Sequence, residues 1–352
     1  MAQRHPGFVP AVVLTRGDLL ENVHMAAVAV VDATGRLLAS WGDPMMPVFM
    51  RSSAKPFQAL PFVVEGGPDV LGWTDEHLAV MVSSHDGSPK HTQLVREMLA
   101  SVGLDVSALQ CGVHPPLDPK TAQALACQGQ DPSPLHHTCS GKHAGFLARA
   151  RHHGWDITTY LNPEHPVQQA AREALALLSQ WPAERIYMGI DGCSAPNFAL
   201  PLYHAAWAWA RLVDPADLSP AWGRAAMRIT RAMVAHPELV AGPERFDTRV
   251  MRATNGRVIA KGGAAGYQAL GVRAGHWPGM SRGVGVVIKI ADPDRGQLAR
   301  GAIVLALLRA VGFDLSPDTL APWWPEAPIT NYRGKVVGQR RTLIPEEPTR
   351  LV

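Results

Sequence analysis

The segment RSSAKP, residues 51–56, sets Ser52 and Lys55 three positions apart, directly before the apolar stretch FQALPFVV. Pro56 is typical of the first turn of a helix, where a missing amide hydrogen costs no helical hydrogen bond. The pattern therefore predicts that a helix starts here. We expect the Ser52 hydroxyl and the Lys55 amine to lie on one face of it, within reach of each other.

A serine beside a lysine predicts nucleophilic chemistry on one condition. Serine is a weak nucleophile until a base takes its proton, and a neutral lysine amine can be that base. Because the ordinary pKa of lysine is about 10.4, the site must favour the neutral amine by burial or by a second cation nearby. The alternative for Lys55 is a solvated surface charge, since Ser-x-x-Lys occurs often by chance.

Strands are predicted on both sides of a helical middle. Residues 26–41, AAVAVVDATGRLLASW, form two apolar stretches around DATG, which is typical of a β-hairpin. After about residue 255 the segments GRVIAKGG, GYQALGV and GVGVVIKIAD predict three strands separated by glycine-rich turns. Helices are predicted at residues 88–103, 167–180, 200–213, 219–236 and roughly 295–311.

This order of elements predicts the α+β class, with one antiparallel sheet built from N- and C-terminal strands and helices packed on it. The sheet would come from about residues 10–50 and 255–352, and the mostly helical region from about residues 52–245. Because no internal repeat or low-complexity linker interrupts the chain, we predict a single catalytic domain, residues 1–352.

Composition and charge exclude several classes of protein. The chain has 352 residues, of which 47% are apolar and 18% charged, with a formal net charge of +3. The basic residues are scattered, which gives no reason to expect nucleic acid or a charged membrane surface as a partner. No apolar run reaches the ~18 residues that a membrane span needs.

The N-terminus and the cysteines favour a cytoplasmic location. Pro6, Gly7 and Pro10 stand where a signal peptide needs a continuous apolar core. In the cytoplasm cysteines are reduced thiols or metal ligands more often than disulfides. The chain has four of them: Cys111, Cys127, Cys139 and Cys193.

Two further segments favour a catalytic reading of Ser52 and Lys55. VSSHDGSPKH, residues 82–91, contains Ser84 in a loop, and IAKGGAAG, residues 259–266, places Lys261 at the end of a strand before paired glycines. This chain order parallels the penicillin-recognising serine hydrolases, in which a loop serine and a strand lysine face the nucleophile. The alternatives are a helix cap for Ser84 and an edge-strand charge for Lys261.

The segments HHTCSGKHAGFLARA, residues 136–150, and GIDGCSAPNF, residues 189–198, predict a metal site. Cys139 and His143 are four positions apart, as two ligands on one helical turn would be, and with Cys193 they make a plausible zinc set. Buried free cysteine is the common alternative. The HExxH, GxSxG and GxxxxGK[ST] motifs are absent from the sequence, so metalloprotease, α/β-hydrolase and P-loop functions lose their usual support.

Five motifs in order, RSSAKP, SSHDGSPKH, TCSGKHAGF, GIDGCSAPNFALPL and KGGAAGYQALG, resemble those of one family. It is the L-asparaginase II, or class 3 asparaginase, family, whose fold is similar to the β-lactamases and the serine-dependent glutaminases. RGDLLENVH, residues 16–24, also fits its opening pattern, and the resemblance runs from about residue 10 to 350. Other asparaginases use a threonine nucleophile within TGGT-like motifs, which this sequence lacks.

The resemblance implies hydrolysis of L-asparagine to L-aspartate and ammonia, as in asparagine catabolism. It also implies two Ser–Lys pairs, which fall on Ser52 with Lys55 and on Ser84 with Lys261. The zinc that the resemblance implies is held by two cysteines and a lysine, which map onto Cys139, Lys142 and Cys193, with Asp191 beside the lysine. Spacing alone would have chosen His143 over Lys142 as the third ligand.

We expect zinc to tune substrate affinity or structure without being the catalyst, because a Ser–Lys pair already provides a nucleophile and a base. We also expect a small-molecule substrate and a homodimer. The alternative functions are a glutaminase, another Ser–Lys hydrolase of β-lactams or D-alanyl peptides, and a non-enzymatic small-molecule or zinc-binding protein. The residues expected to bind substrate are Arg51, His85, Asp86, His143, Asp191 and Gly262.

Overall fold

A computed structural model of the chain describes residues 7–344. The C-terminal ends of the predicted sheet region and of the family resemblance, residues 345–352, lie outside the described residues. The chain divides into two compact units, which we call the sheet unit and the helical unit. The sheet unit comprises the chain up to Val48, Leu200–Asp214 and the chain from Arg249 onward, and the helical unit comprises Phe49–Ala199 and Pro215–Thr248. The single catalytic domain and the homodimer stay predictions.

The sheet unit contains one antiparallel sheet of eight strands. Seven of them follow the order β10-β11-β1-β2-β9-β8-β7, and β3 pairs with β2. The strands are β1 (Val9–Arg16), β2 (Leu19–Asp32), β3 (Leu37–Trp41), β7 (Val258–Gly263), β8 (Tyr267–Val272), β9 (Val284–Ile290), β10 (Glu326–Thr330) and β11 (Val336–Thr342). The α+β prediction is therefore confirmed, with N-terminal and C-terminal strands interleaved in one sheet.

The predicted hairpin around DATG is confirmed, since β2 and β3 pair antiparallel with Val28 opposite Trp41. The predicted C-terminal strands correspond to β7, β8 and β9. Strands β1, β10 and β11 were not predicted. The residues of β10 and β11 alternate in burial, and β1 has only a short buried stretch, so none of the three is buried along its length as β8 is.

Helices cover the sheet within the sheet unit. Every residue of β8 is buried, which requires cover on both faces of the strand. Helix α8 (Leu202–Val213) packs on β2, β8 and β9, and helix α12 (Leu298–Ala310) packs on β1, β9 and β11. Gly285 on β9 permits the close approach of α8, because a Cβ at that position would overlap the carbonyl oxygen of Ala206.

The helical unit is built mainly from helices, and a second sheet of the chain has three strands in the order β4-β6-β5. The strands are β4 (Pro47–Phe49), β5 (Tyr187–Ile190) and β6 (Pro196–Pro201). The helices are α1 (Lys55–Val64), α2 (Gly67–Val70), α3 (Asp75–Met81), α4 (Pro89–Ala100), α5 (Pro119–Cys127), α6 (Ser140–His152), α7 (Pro166–Ser179), α9 (Pro220–Ala235) and α10 (Pro237–Val240). Two others complete the described chain: α11 (Phe246–Ala253) and α13 (Pro317–Leu320).

The predicted helices agree with the structure to within about four residues at their ends. In the described part of the chain no helix is both long enough and apolar enough to cross a membrane. At the start of α4 the side chain of the N-cap residue does not form a cap bond to the backbone. Ser88 occupies the N-cap position, but its hydroxyl contacts the His91 ring at 2.7 Å in place of a backbone cap bond.

We predict that Gly285→Ala lowers the free energy of unfolding by about 2 kcal/mol, because the added methyl forces α8 away from the sheet. Gly223 in α9 is the matched control, since a Cβ there would meet its nearest atom, Pro215 O, at an ordinary 3.7 Å. Gly223→Ala should raise stability by about 0.5–1 kcal/mol through helix propensity. Urea unfolding of both variants checks the pair, and equal effects of the two substitutions would contradict the packing argument.

Candidate active site

The RSSAKP segment begins a helix, as the sequence predicts. A 3₁₀ turn, Arg51–Ala54, leads directly into α1, and Pro56 lies in the first turn of α1. Arg51 has a φ of 53°, a left-handed conformation that is uncommon for a residue with a side chain. The Arg51 amide donates to Asn197 Oδ1 at 3.1 Å, so β6 holds this turn in place.

Lys55 is buried, with 1% of its surface exposed, so the surface-charge alternative is wrong. Its amine donates to the Ser83 carbonyl, to the Thr138 carbonyl at 3.2 Å and to Ser84 Oγ at 3.3 Å. The Ser52 hydroxyl is not among the partners of the amine in the described chain, although Ser52 stands one turn before it. The direct Ser52–Lys55 contact is thus replaced by a Lys55–Ser84 contact.

The two effects that favour a neutral lysine amine, burial and a second cation nearby, both act on Lys55. Burial lowers the pKa of Lys55, and the positive charge of Lys142 lowers it further, while Cys139 and Cys193 act in the opposite direction. The net pKa lies below the ordinary value of lysine. Both burial and a second cation therefore favour the neutral amine.

Ser84 is not a helix cap, because α4 begins at Pro89. The Ser84 amide donates to the Val240 carbonyl at 2.8 Å, which ties the serine loop to α10. Ser84 is half-buried, and its hydroxyl faces the Lys55 amine. The structure therefore brings two of the four predicted catalytic residues into contact and sets Ser52 one helical turn away.

The side chains of His85 and Asp86 are bonded within the protein. His85 is buried, accepts the Gly87 amide on Nδ1 at 3.1 Å, and contacts Ser140 Oγ through Nε2 at 2.9 Å. Asp86 accepts from His91 at 3.0 Å and from the Ser88 amide at 3.1 Å. Their predicted contact with substrate stays a prediction.

Arg51 and Asp191 form an ion pair beside the start of α1. Arg51 Nη2 lies 2.9 Å from Asp191 Oδ1, and the two side chains are 30% and 10% exposed. The same carboxylate oxygen accepts the Gly192 amide at 2.9 Å. A guanidinium and a carboxylate that are both partly open to solvent can bind the two charges of a free amino acid.

Cys139, Lys142 and Cys193 meet in the interior of the helical unit. All three side chains are buried, and the Lys142 amine lies 3.1 Å from Cys193 Sγ. The four cysteines of the chain are free thiols. The hydrogen bond from Cys193 lowers the pKa of the Cys139 thiol well below its ordinary value, against the effect of burial and with the help of the Lys55 and Lys142 charges.

The same hydrogen bond, together with burial, raises the pKa of Cys193. Burial lowers the pKa of Lys142, but Cys193, Cys139 and Asp191 outweigh it and raise the net pKa above the ordinary value. The surroundings of Lys142 therefore favour its charged form. Two sulfur donors and one nitrogen donor in one buried cluster fit a zinc ion.

His143 lies apart from this set of donors. Its Nδ1 contacts the Tyr160 hydroxyl at 2.7 Å, and that hydroxyl accepts the Gln110 amide at 3.0 Å. The Tyr160 proton is thus available to Nδ1, which places the ring proton of His143 on Nε2. Within residues 7–344 no group of three or more His, Cys, Asp and Glu side chains is arranged to hold a metal, so the alternative Cys–Cys–His set has no support.

Two buried donors in this region have no hydrogen-bond partner among the described residues: Arg51 Nε and His143 Nε2. Buried polar atoms are almost always satisfied in native proteins, and an unsatisfied one calls for an explanation. A ligand in the site would supply acceptors for both. That Arg51 and His143 bind substrate stays a prediction.

Lys261 and Gly262 belong to the sheet unit and are described within it. Lys261 lies inside β7, which continues through Gly262 to Gly263, so the strand does not end at the lysine as expected. β7 stands at one end of the strand order, but Lys261 is fully buried and is not a solvated guard of an edge. Its amine donates to the Gly262 carbonyl at 2.9 Å. The pairing of Lys261 with Ser84 stays a prediction.

Several site residues were missed by sequence reasoning. Asn197 lies inside a quoted motif, but nothing in the spacing links its amide to Arg51. The carbonyls of Ser83 and Thr138 bind Lys55 through the backbone, which leaves no signal in residue type. Tyr160 is 17 positions from His143 in a loop without a motif.

The sequence matches one family model along most of its length. A sequence model described as L-asparaginase II matches residues 12–342. No curated protein matches the chain.

Solved structures with similar coordinates include a Bacillus subtilis glutaminase, YbgJ, in a covalent complex with 5-oxo-L-norleucine, at 11% identity and a TM-score of 0.40. The alignment covers 83% of this chain and 89% of the glutaminase. Another is Mglu in its native form, at 12% identity and a TM-score of 0.42, with 80% of this chain and 64% of Mglu covered. Scores at this level establish neither a shared activity nor a shared substrate.

Proposed function

The chain belongs to the L-asparaginase II family, and we propose that it hydrolyses free L-asparagine to L-aspartate and ammonia through a serine ester. The family makes it an amidohydrolase. The observation that supports the serine mechanism is the buried Lys55 amine, 3.3 Å from Ser84 Oγ and one helical turn from Ser52. A lysine whose pKa is lowered by burial is the base that such a mechanism needs.

In the proposed mechanism the Ser52 oxygen attacks the side-chain amide carbon of asparagine. Lys55 takes the serine proton, and Ser84, in contact with the Lys55 amine, relays it to the leaving nitrogen. The C–N bond breaks and ammonia leaves, which gives a β-aspartyl ester on Ser52. Water then cleaves the ester, with Lys55 again accepting a proton, and L-aspartate leaves with the serine hydroxyl restored.

Ser52 is the proposed nucleophile because it is half-buried, stands one helical turn before the Lys55 base and directly follows the left-handed Arg51. Hydrogen bonds between catalytic groups are often long in ligand-free structures and tighten when substrate binds. Arg51 and Asp191 supply opposite charges for the α-carboxylate and the α-ammonium of the substrate. The unsatisfied Arg51 Nε adds a further donor for the carboxylate.

Zinc is part of the proposal, with Cys139, Lys142 and Cys193 as the residues that would hold it. When bound it would supply a fixed positive charge next to the site. Cys139 is already the anionic partner of the cluster, and Lys142 would have to lose its proton to bind metal. Because Lys55 provides the base, these residues are expected to organise the pocket and not to perform the chemical step.

We predict that the purified protein releases ammonia from L-asparagine with a higher kcat/KM than from L-glutamine. The extra methylene of glutamine is worth about 1–3 kcal/mol of discrimination, or roughly 10–200-fold. Coupled ammonia assays on both amides measure the ratio. A ratio that favours glutamine would make the chain a glutaminase, and no release from either amide would reject the amidase mechanism.

We predict that Ser52→Ala removes nearly all ammonia release from asparagine, while Ser84→Ala retains a small residual activity, because Ser84 relays a proton that Lys55 can also pass directly. Ser53→Ala is the matched control in the same turn, since the Ser53 hydroxyl donates to the Met50 carbonyl at 2.8 Å. It should keep activity within about threefold, given the modest worth of one neutral hydrogen bond. Full activity in Ser52→Ala would move the nucleophile to Ser84.

We predict about one zinc ion per chain in the purified protein by metal analysis, and much less in Cys193→Ser, because the substitution removes one sulfur donor. Chelation should raise KM far more than it lowers kcat, since Lys55 and not the metal acts as base. Steady-state kinetics with and without a chelator test this. A loss of kcat at constant KM would make the metal the catalyst and would contradict the roles given to Ser52 and Lys55.

A further inference from the structure

The His91 ring joins three segments of the helical unit. His91 lies in the first turns of α4, is 2% exposed, and takes no part in the proposed chemistry. Its Nδ1 lies 3.0 Å from Asp86 Oδ1, and its Nε2 lies 3.2 Å from the Leu239 carbonyl in α10. One buried ring therefore bridges the serine loop and α10.

Both ring nitrogens of His91 have polar partners. A carbonyl oxygen can only accept, so Nε2 donates to Leu239, while Nδ1 lies between the Asp86 carboxylate and the Ser88 hydroxyl. Ser88 closes the network, because its amide donates to Asp86 Oδ1 at 3.1 Å and its hydroxyl lies 2.7 Å from His91 Nδ1. Both ring nitrogens of His91 thus contact polar partners, which fixes the orientation of the ring.

The neighbouring histidine supports the ring from one face. The rings of His85 and His91 are stacked, with centroids 4.9 Å apart and an angle of 14° between planes. Burial and the nearby charges of His91 and Lys55 lower the pKa of His85 well below its ordinary value, which keeps that ring neutral.

The partner segment of His91 is the one that holds Ser84. Leu239, whose carbonyl accepts from His91, is adjacent to Val240, whose carbonyl accepts the Ser84 amide at 2.8 Å. Because the two carbonyls are consecutive, a shift of α10 away from His91 would also move the acceptor of Ser84. The Ser84 hydroxyl would then move relative to the Lys55 amine.

The far side of this segment is fixed by backbone fit. Gly242 has a φ of +134°, and a Cβ at that position would overlap Asp86 Oδ2. Thr248 Oγ1 lies 2.7 Å from the Gly242 carbonyl and 2.8 Å from the Pro237 carbonyl. The segment is thus held at both ends, and His91 provides the side-chain bond that connects its middle to the serine loop.

We propose that His91 is a positioning residue for Ser84: by bonding the Leu239 carbonyl it fixes α10 and so sets the distance between the Ser84 hydroxyl and the Lys55 amine. This inference rests on the proposed function, because its kinetic consequence needs Ser84 to serve Lys55 in amide hydrolysis. The bond to Leu239 carries the effect, and the bond to Asp86 orients the ring.

Two substitutions separate these bonds. The amide nitrogen of glutamine lies where His91 has Nε2, so His91→Gln keeps a donor for Leu239. The amide nitrogen of asparagine lies where His91 has Nδ1, so His91→Asn keeps a donor for Asp86 only. The matched control is His165→Asn, a buried histidine of the same unit that contacts the Asp156 carbonyl at 3.0 Å and accepts the Val167 amide.

We expect His91→Asn to lower kcat for asparagine by about 10–100-fold with KM within about threefold, because a misplaced catalytic group slows the chemical step. His91→Gln should retain most of kcat, and His165→Asn should match the wild type. In a Ser84→Ala background the difference between His91→Asn and His91→Gln should vanish. Equal kcat values for the two His91 variants, or an undiminished difference without the Ser84 hydroxyl, would overturn the proposal.

Hydrogen exchange gives a readout that does not depend on activity. His91→Asn should speed amide exchange in residues 82–88 and 237–242, where His91→Gln should leave it near the wild-type rate. Unchanged exchange in His91→Asn would overturn the positioning role even if kcat falls. If the wild type releases no ammonia from asparagine, the proposed function fails, and the exchange rates still decide whether His91 fixes Ser84.

Discussion

The arrangement of the candidate site depends on a lysine amine that is buried under two backbone carbonyls. Lys55 contacts the carbonyls of Ser83 and Thr138, which belong to loops that precede α4 and α6. A buried ammonium costs free energy unless it is paired, whereas a neutral amine can still donate to carbonyls. The helical unit thus surrounds this amine with carbonyl acceptors and lowers its pKa by burial, while the charge of Cys139 and a hydrogen bond to it act in the opposite direction.

Several titratable side chains near that amine have pKa values shifted in different directions. The hydrogen bond between Cys139 and Cys193 lowers the pKa of the first thiol and raises the pKa of the second, and the Lys142 amine lies 3.1 Å from Cys193 Sγ. These three side chains are the donors proposed for zinc. Arg51 and Asp191 form a separate, more exposed ion pair at the helix start. The site thus combines a buried lysine of lowered pKa with an ion pair that is partly open to solvent.

Sequence reasoning recovered those parts of the fold and site that residue type and spacing encode. The DATG hairpin, the strands after residue 255 and the helix start at Ser52 follow from local chemistry, and the structure contains all three. β10 and β11 could not be predicted, because their residues are largely exposed or partly exposed and the strand that joins them to the sheet, β1, lies far away in sequence. The contact of Lys55 with Ser84 was missed for a related reason. Helical spacing pointed to Ser52 as the partner of Lys55. Ser84 lies 29 positions after Lys55, and the fold brings it and the preceding residue Ser83 to the amine.

The pairing of β1 with β11 has a consequence for the order in which the protein is made. Val12 pairs with Thr342, so β1 is made long before β11, which fills one of its two edges. β2 can pair with β1 at once, but the other edge of β1 stays open during synthesis of the whole helical unit. An unfilled strand edge is a template for pairing between chains. Nascent chains of this protein are therefore exposed to misassembly at β1 until β11 has been made, and slow synthesis would lengthen that exposure.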